Sequence, residues 1–325
     1  MNIFYYIFII AALGVSVFLN TDIVKVEALG GGKTILNNTV EETNGVAQLV
    51  ERQGVAHESA RATSSATPDI TAFSAAVADG ETGEILYAKN ISAKFPLASI
   101  TKLMSFSILS ERKWNGDDTA SLSKDDLENL RSYVGAGDTI SLSGLKAGEG
   151  AKISDFFYSG LIKSANDAVS VLVRTAGFDF FSFSKEMNKR ALGLKMFNTQ
   201  FGDPTGLDVG NVGTAGDLVL LALETFNNRL ISGITSQKNY AFNELETGKL
   251  IQLDSTNKLF GKLASTDYKI IAGKTGYLDE SGYNLLVEVE NGSGKKYIIV
   301  ILGAASDESR VDDAYKLLIF VDHPK

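Results

Sequence analysis

The chain has 325 residues, 44% of them apolar, and a formal net charge of −8. That length allows two average domains or one large one, with enough apolar side chains to bury a sizeable core. The acidic balance excludes the basic footprint of a nucleic-acid binder. The absence of cysteine excludes disulfides, thiolate metal sites and a cysteine nucleophile.

Residues 3–19 form a nearly unbroken apolar run closed by Asn20, Thr21 and Asp22. The run is long for a signal-peptide core and short for a membrane span. Val26-Glu27-Ala28 offers small or apolar side chains of the kind a signal peptidase reads, although no Lys or Arg precedes the run. Residues 1–28 are expected to be a signal peptide or an anchor in the cytoplasmic membrane. Either one puts the rest of the chain on the extracytoplasmic side. Residues 29–67, rich in Gly, Asn, Thr, Ser and Glu without sustained periodicity, read as a flexible linker. Gly32-Lys33-Thr34 and Gly273-Lys274-Thr275 are not phosphate loops, because Glu27 and Tyr268 stand where the upstream glycine is needed.

A folded domain is expected over residues 68–325. Segments 73–78 and 84–89 read as strands around the turn Asp79-Gly80-Glu81-Thr82-Gly83. A helix starts near Ser99 and runs past Leu109. Segment 154–175 has helical apolar spacing through Phe156, Leu161, Ala165, Val169 and Leu172. Segments 180–192 and 215–226 give further helices. Strands return at 268–275, 283–290 and 296–302, and a last helix covers 307–320. This order predicts an α+β fold: an antiparallel five-stranded sheet with flanking helices and a helical insertion.

The chemistry begins with what is missing. The two histidines, His57 and His323, lie in a polar N-terminal stretch and at the C-terminus, poorly placed for the buried base of a serine triad. Histidine ligands for zinc are equally short, so no metal or cofactor is expected. Ser99-Ile100-Thr101-Lys102 offers another base. At the start of a helix, Ser99 and Lys102 share one face, and unpaired backbone N–H groups favour developing negative charge. A lysine kept neutral by burial or by a nearby cation can take the serine proton. Taken alone, the pair also reads as a helix cap beside a surface lysine. Ser164-Ala165-Asn166 places two polar side chains in an apolar stretch. It reads either as a helix end or as a proton relay (Ser164) with a hydrogen-bonding group for a substrate amide (Asn166). Lys274-Thr275-Gly276 ends an apolar strand. Lys274 would set a cation beside Lys102 and Ser164 and attract a carboxylate, to which Thr275 can donate. Gly276 leaves the strand edge open to a substrate backbone.

Serine–lysine, Ser-x-Asn and Lys-Thr-Gly occur in the order found in penicillin-binding proteins and β-lactamases. Together with Asp79-Gly80-Glu81-Thr82-Gly83-Glu84-Ile85-Leu86-Tyr87, Phe95-Pro96-Leu97-Ala98, Met187-Asn188-Lys189-Arg190-Ala191, Pro204-Thr205-Gly206-Leu207 and Gly282-Tyr283-Asn284, they make the chain resemble the serine D-alanyl-D-alanine carboxypeptidase/endopeptidase family of low-molecular-mass penicillin-binding proteins. The resemblance covers about residues 70–321. It implies a Ser99 acyl-enzyme formed on peptidoglycan stem peptides, with β-lactams as covalent inhibitors. It also implies an oxyanion hole from the backbone N–H groups of Ser99 and Tyr277, and a carboxylate-facing arginine at Arg310. Carboxypeptidase action is the leading expectation, with cross-link endopeptidase, β-lactamase and noncatalytic binding module as alternatives. The chain ends soon after the catalytic segment, which leans toward an endopeptidase-like or minimal member. No counterpart of the class A β-lactamase deacylation glutamate is found; Glu224 lies at the end of a predicted helix.

Overall fold

The computed structural model describes residues 67–134 and 140–323, together with the backbone of three strands near the N-terminus. Those strands, β1 (Ile7–Ile10), β2 (Val15–Asn20) and β3 (Ile23–Ala28), pair antiparallel in sequence order. The signal-or-anchor expectation for 1–28 and the linker expectation for 29–67 otherwise fall outside the described residues. No helix among the described residues is long and apolar enough to cross a membrane.

The larger unit opens with β4 (Ser74–Asp79) and β5 (Ile85–Lys89). Three ribbons follow: β6 (Phe95–Pro96) with β9 (Val212–Gly213), β7 (Thr119–Ser121) with β8 (Gly150–Lys152), and β10 (Asn239–Asn243) with β11 (Leu250–Asp254). Then come β12 (Lys269–Leu278), β13 (Gly282–Glu290) and β14 (Lys296–Ala304). The last three join the first two in an antiparallel five-stranded sheet of order β12-β13-β14-β4-β5, as expected. The helices are α1 (Thr101–Ser110), α2 (Lys124–Arg131), α3 (Ile153–Ile162), α4 (Asn166–Thr175), α5 (Phe180–Gly193), α6 (Ala215–Phe226), α7 (Arg229–Thr235), α8 (Leu259–Lys262) and α9 (Asp307–Asp322).

The two-residue period of the strands divides the core in two. On β14, Tyr297, Ile299 and Ile301 face one way and pack with Val311, Ala314, Leu317 and Leu318 of α9. Ile298, Val300 and Leu302 face the helical insertion. Helix α9 is capped by Ser306, which accepts from Ser309 N–H at 3.0 Å, and Asp307 and Glu308 suit its N-terminal dipole. Its far end is clasped by Asp322, which accepts from Tyr268, Tyr297 and Asn291 at 2.5, 2.6 and 2.8 Å. His323 follows there, exposed, and His57 lies outside the described residues. On the opposite face of the sheet, α1 is buried at every position from Thr101 to Leu109. Its apolar side chains Leu103, Met104, Phe106, Ile108 and Leu109 point to several sides and its polar ones are buried with them, which suits a helix at the centre of a core.

One expected helix is two. Segment 154–175 breaks between α3 and α4, and Ser164 takes a positive φ of 65°. The break is stabilised from outside. Ser141 Oγ donates to Lys163 O at 2.8 Å, and Asn166 N–H donates to Ser141 O at 2.8 Å. These bonds replace helix bonds lost at the break.

Candidate active site

Ser99 sits in a single 3-10 turn, Ala98–Ile100, between the short strand β6 and α1. Two glycines press on this turn. A Cβ on Gly206 would lie 2.1 Å from Ala98 O, and one on Gly276 would lie 2.8 Å from Leu97 O and 3.2 Å from Ser99 N. Neither position leaves room for a methyl group, and Gly206 also has φ +87°. Ala98 itself holds φ +49°. Beyond leaving a strand edge open, Gly276 lets β12 lie directly against the nucleophile's turn.

Lys102, one helical turn beyond Ser99, is completely buried. Its Nζ donates to Ser99 Oγ at 2.8 Å, Asn166 Oδ1 at 2.6 Å and Thr205 O at 2.6 Å. Burial pushes its pKa down to about 7, against the opposing pull of the Asp203 and Asp167 carboxylates. Of the two causes expected for a neutral Lys102, burial or a nearby cation, burial is the one that lowers its pKa.

Lys274, on β12, is equally buried, and its Nζ donates to Ser164 Oγ at 2.8 Å and to Thr275 O at 3.0 Å. Its pKa is well below the ordinary lysine value through burial, then through the charges of Lys102 and Arg310. Thr275 Oγ meets Thr256 Oγ at 2.5 Å. The left-handed backbone at Ser164 thus carries a hydroxyl that reaches the third motif from the α3–α4 break.

Asn166 differs from expectation. Its Oδ1 is engaged by Lys102 and its Nδ2 donates to Ser141 O at 3.3 Å, so in the free site it steadies the lysine. Arg310 is also buried, and its guanidinium donates to the carbonyls of Gly276, Asn284 and Thr256 at 3.2–3.3 Å while pairing with Asp307. It braces β12 from behind. Tyr277 is exposed at the end of that strand, its ring 4.5 Å from that of Tyr283. Glu224 pairs with Arg190 at 3.0 Å.

Sequence reasoning missed two contributors. Asp167 accepts from Ser143 N–H at 2.9 Å and from its hydroxyl at 2.6 Å, which fixes the loop that supplies Ser141. Thr205 contributes only its carbonyl, which no side-chain motif encodes, although its segment carried part of the resemblance.

Comparisons with known proteins bear on the family and the fold. A family model described as D-alanyl-D-alanine carboxypeptidase matches residues 61–306. A D-alanyl-D-alanine endopeptidase of Haemophilus influenzae is 31% identical over 194 residues, covering 59% of this chain. The D-alanyl-D-alanine carboxypeptidase DacF of Bacillus subtilis is 30% identical over 250 residues, covering 77% of this chain. The chain spans 61% of the length of each of these relatives. The crystal structure of a Streptomyces DD-transpeptidase superposes with a TM-score of 0.71 at 24% identity, over 79% of this chain and 99% of that one, and shows the same fold.

Proposed function

Because the chain belongs to the D-alanyl-D-alanine carboxypeptidase family, we propose that it is a serine-type D-Ala-D-Ala carboxypeptidase acting on peptidoglycan stem peptides through a Ser99 acyl-enzyme. One observation carries this reading: a wholly buried Lys102 whose Nζ is 2.8 Å from Ser99 Oγ, with a pKa near 7. Such an amine is neutral often enough at physiological pH to act as a base, and its nitrogen already lies within hydrogen-bond distance of the hydroxyl whose proton it must take.

In the proposed sequence Lys102 removes the Ser99 proton as Oγ attacks the carbonyl carbon between the two D-alanines. The oxyanion is received by the backbone N–H groups of Ser99 and Tyr277. The approach of Gly276 to Ser99 N supports this pairing. The C–N bond then breaks; Ser164 hands a proton to the leaving nitrogen and is reprotonated by the proton Lys102 took from Ser99, so Lys102 is neutral again before water enters. The Ser164 hydroxyl already accepts a hydrogen bond from Lys274 Nζ at 2.8 Å. Lys274 and Thr275 receive the terminal carboxylate. Asn166 holds Lys102 and turns toward the substrate amide when the peptide enters. Arg310 acts through β12 rather than by direct contact. Water attacks the ester carbonyl, Lys102 takes its proton, and Ser99 is released with its hydrogen restored. β-Lactams would acylate the same oxygen. Substrate and site meet on the extracytoplasmic side, where residues 1–28 would deliver or anchor the chain.

A labelled penicillin is expected to modify Ser99, and Ser99→Ala to abolish labelling. Persistent labelling of that variant would sink the assignment. Cross-link cleavage is the second reading, favoured by the endopeptidase name of the 31% identical relative. Mass analysis of digested peptidoglycan separates the two, because loss of D-alanine and loss of cross-linked dimers are distinct products.

A further inference from the structure

Two consecutive backbone carbonyls grip α1. Pro204 O accepts from Ser105 Oγ at 2.6 Å, and Thr205 O accepts from Lys102 Nζ at 2.6 Å. Lys102 and Ser105 are three residues apart on one helical face. The next residue, Gly206, packs on Ala98 O of the nucleophile's turn. What shapes this turn is a single buried carboxylate. Asp203 accepts from Thr205 N–H at 2.7 Å, Gly206 N–H at 3.0 Å and Asp208 N–H at 3.1 Å, and also from the Thr205 hydroxyl and the Asn211 amide. Asn211 in turn accepts from Gly202 N–H at 2.7 Å, and its carbonyl accepts from Leu97 N–H at 2.8 Å. The network therefore ends on the residue that enters the nucleophile's turn.

We propose that Asp203 is a positioning residue for acylation: its carboxylate folds residues 203–211 so that Thr205 C=O aims Lys102 at Ser99. The inference rests on the serine–lysine reading above and extends it. Five donors converge on two oxygens, so removal of the side chain leaves the turn without its organising acceptor. The same carboxylate also faces Lys102 electrostatically. The charged groups around that amine are Asp203 from the turn, Asp167 from α4, and Lys274 from β12. The two carboxylates favour the ammonium form of Lys102, and the charge of Lys102 in turn lowers the pKa of Lys274.

The test is the second-order rate of acylation by a fluorescent penicillin, measured against pH on the full chain. Asp203→Ala is expected to lower it on the order of 100-fold, as a misplaced base does. Asp203→Asn keeps one acceptor oxygen for Gly206, Asp208 and Asn211 but not the second one for Thr205. Its rate should fall between the other two. Its acid limb should lie at lower pH than the wild type's, because one negative charge beside Lys102 is gone. A purely structural role would lower the melting temperature but leave the rate per folded molecule and the pH midpoint unchanged, and that result would overturn the proposal. If Asp203→Ala does not fold, a wild-type rate and midpoint in Asp203→Asn overturns it equally. Labelling that survives Ser99→Ala would instead mark failure of the underlying serine–lysine reading.

Discussion

The two walls of the site each bury a lysine completely, and the two lysines have opposite company. Lys102, on the helical wall, meets three oxygen acceptors and feels two carboxylates. Lys274, on the sheet wall, meets one hydroxyl and one carbonyl and feels two cations. Burial lowers both pKa values, but the neighbours pull Lys102 back up and push Lys274 further down. The first lysine is poised near neutrality and can exchange a proton. The second lacks an anion, and a substrate carboxylate is the group that would restore its charge. Similar burial thus suits one lysine to proton transfer and the other to binding.

The contrast is broken most severely on the helical wall. Lys102→Ala removes the base while leaving Ser99 in place, and penicillin acylation should fall by about 10³-fold or more. Lys102→Arg should do no better, since a guanidinium does not give up its proton in this range. Stopped-flow labelling checks both. Near wild-type rates in the arginine variant would remove Lys102 from the role of base.

On the sheet wall the loss should depend on the ligand. Lys274→Ala should cost about 2–5 kcal/mol, on the order of 10²-fold or more, toward peptides ending in a free carboxylate. Toward the same peptide with an amidated end the wild-type advantage should shrink sharply. Equal losses for both peptides would show that Lys274 serves the proton path rather than the carboxylate. Gly276→Ala probes the same wall sterically. Its new methyl would press on Leu97 O, and the cost should be about 1–3 kcal/mol of stability. Thermal melting checks this, and an unchanged melting temperature would mean that β12 can retreat from the turn.

The unequal legibility of the two walls has physical reasons. Ser99 and Lys102 are close in sequence, so helical spacing alone brings them together. The strands were readable as short β-branched and apolar runs, and their burial on both faces follows from that: Ile298, Val300 and Leu302 on one side, Tyr297, Ile299 and Ile301 on the other. The α3–α4 break was legible only as one of the two readings of Ser164-Ala165-Asn166, a helix end, against helical spacing that runs through it. The bonds that sustain it come from Ser141, more than twenty residues away. Thr205 was hidden because a carbonyl contact leaves no side-chain signature, and Asp203 because most of the donors to its carboxylate are backbone N–H groups of its own turn. Arg310 was read as facing the substrate, whereas its partners are carbonyls of its own scaffold.

A smaller effect tests the burial argument itself. The Lys102 pKa is about 7 in the folded chain, against an ordinary value of 10.5. Between these values the unfolded chain holds a proton that the folded chain has released, so this group adds stability as pH rises through the window. Below the folded value both states hold the proton, and that contribution is lost. Lys274, shifted in the same direction, adds to the slope. The buried phenols of Tyr268 and Tyr297, whose pKa values are raised, oppose it only once unfolded tyrosines begin to ionise near pH 10. Melting temperature should therefore climb between pH 7 and 9. Lys102→Met should flatten that climb by removing the proton difference while filling nearly the same space. The wild-type acylation rate should rise across the acid side of the same window, since neutral Lys102 is the form that attacks the Ser99 proton. A melting profile with the wild-type slope in Lys102→Met would show that the lysine is already neutralised by its carboxylate neighbours rather than disfavoured by burial. The difference drawn between the two walls would then rest on geometry alone.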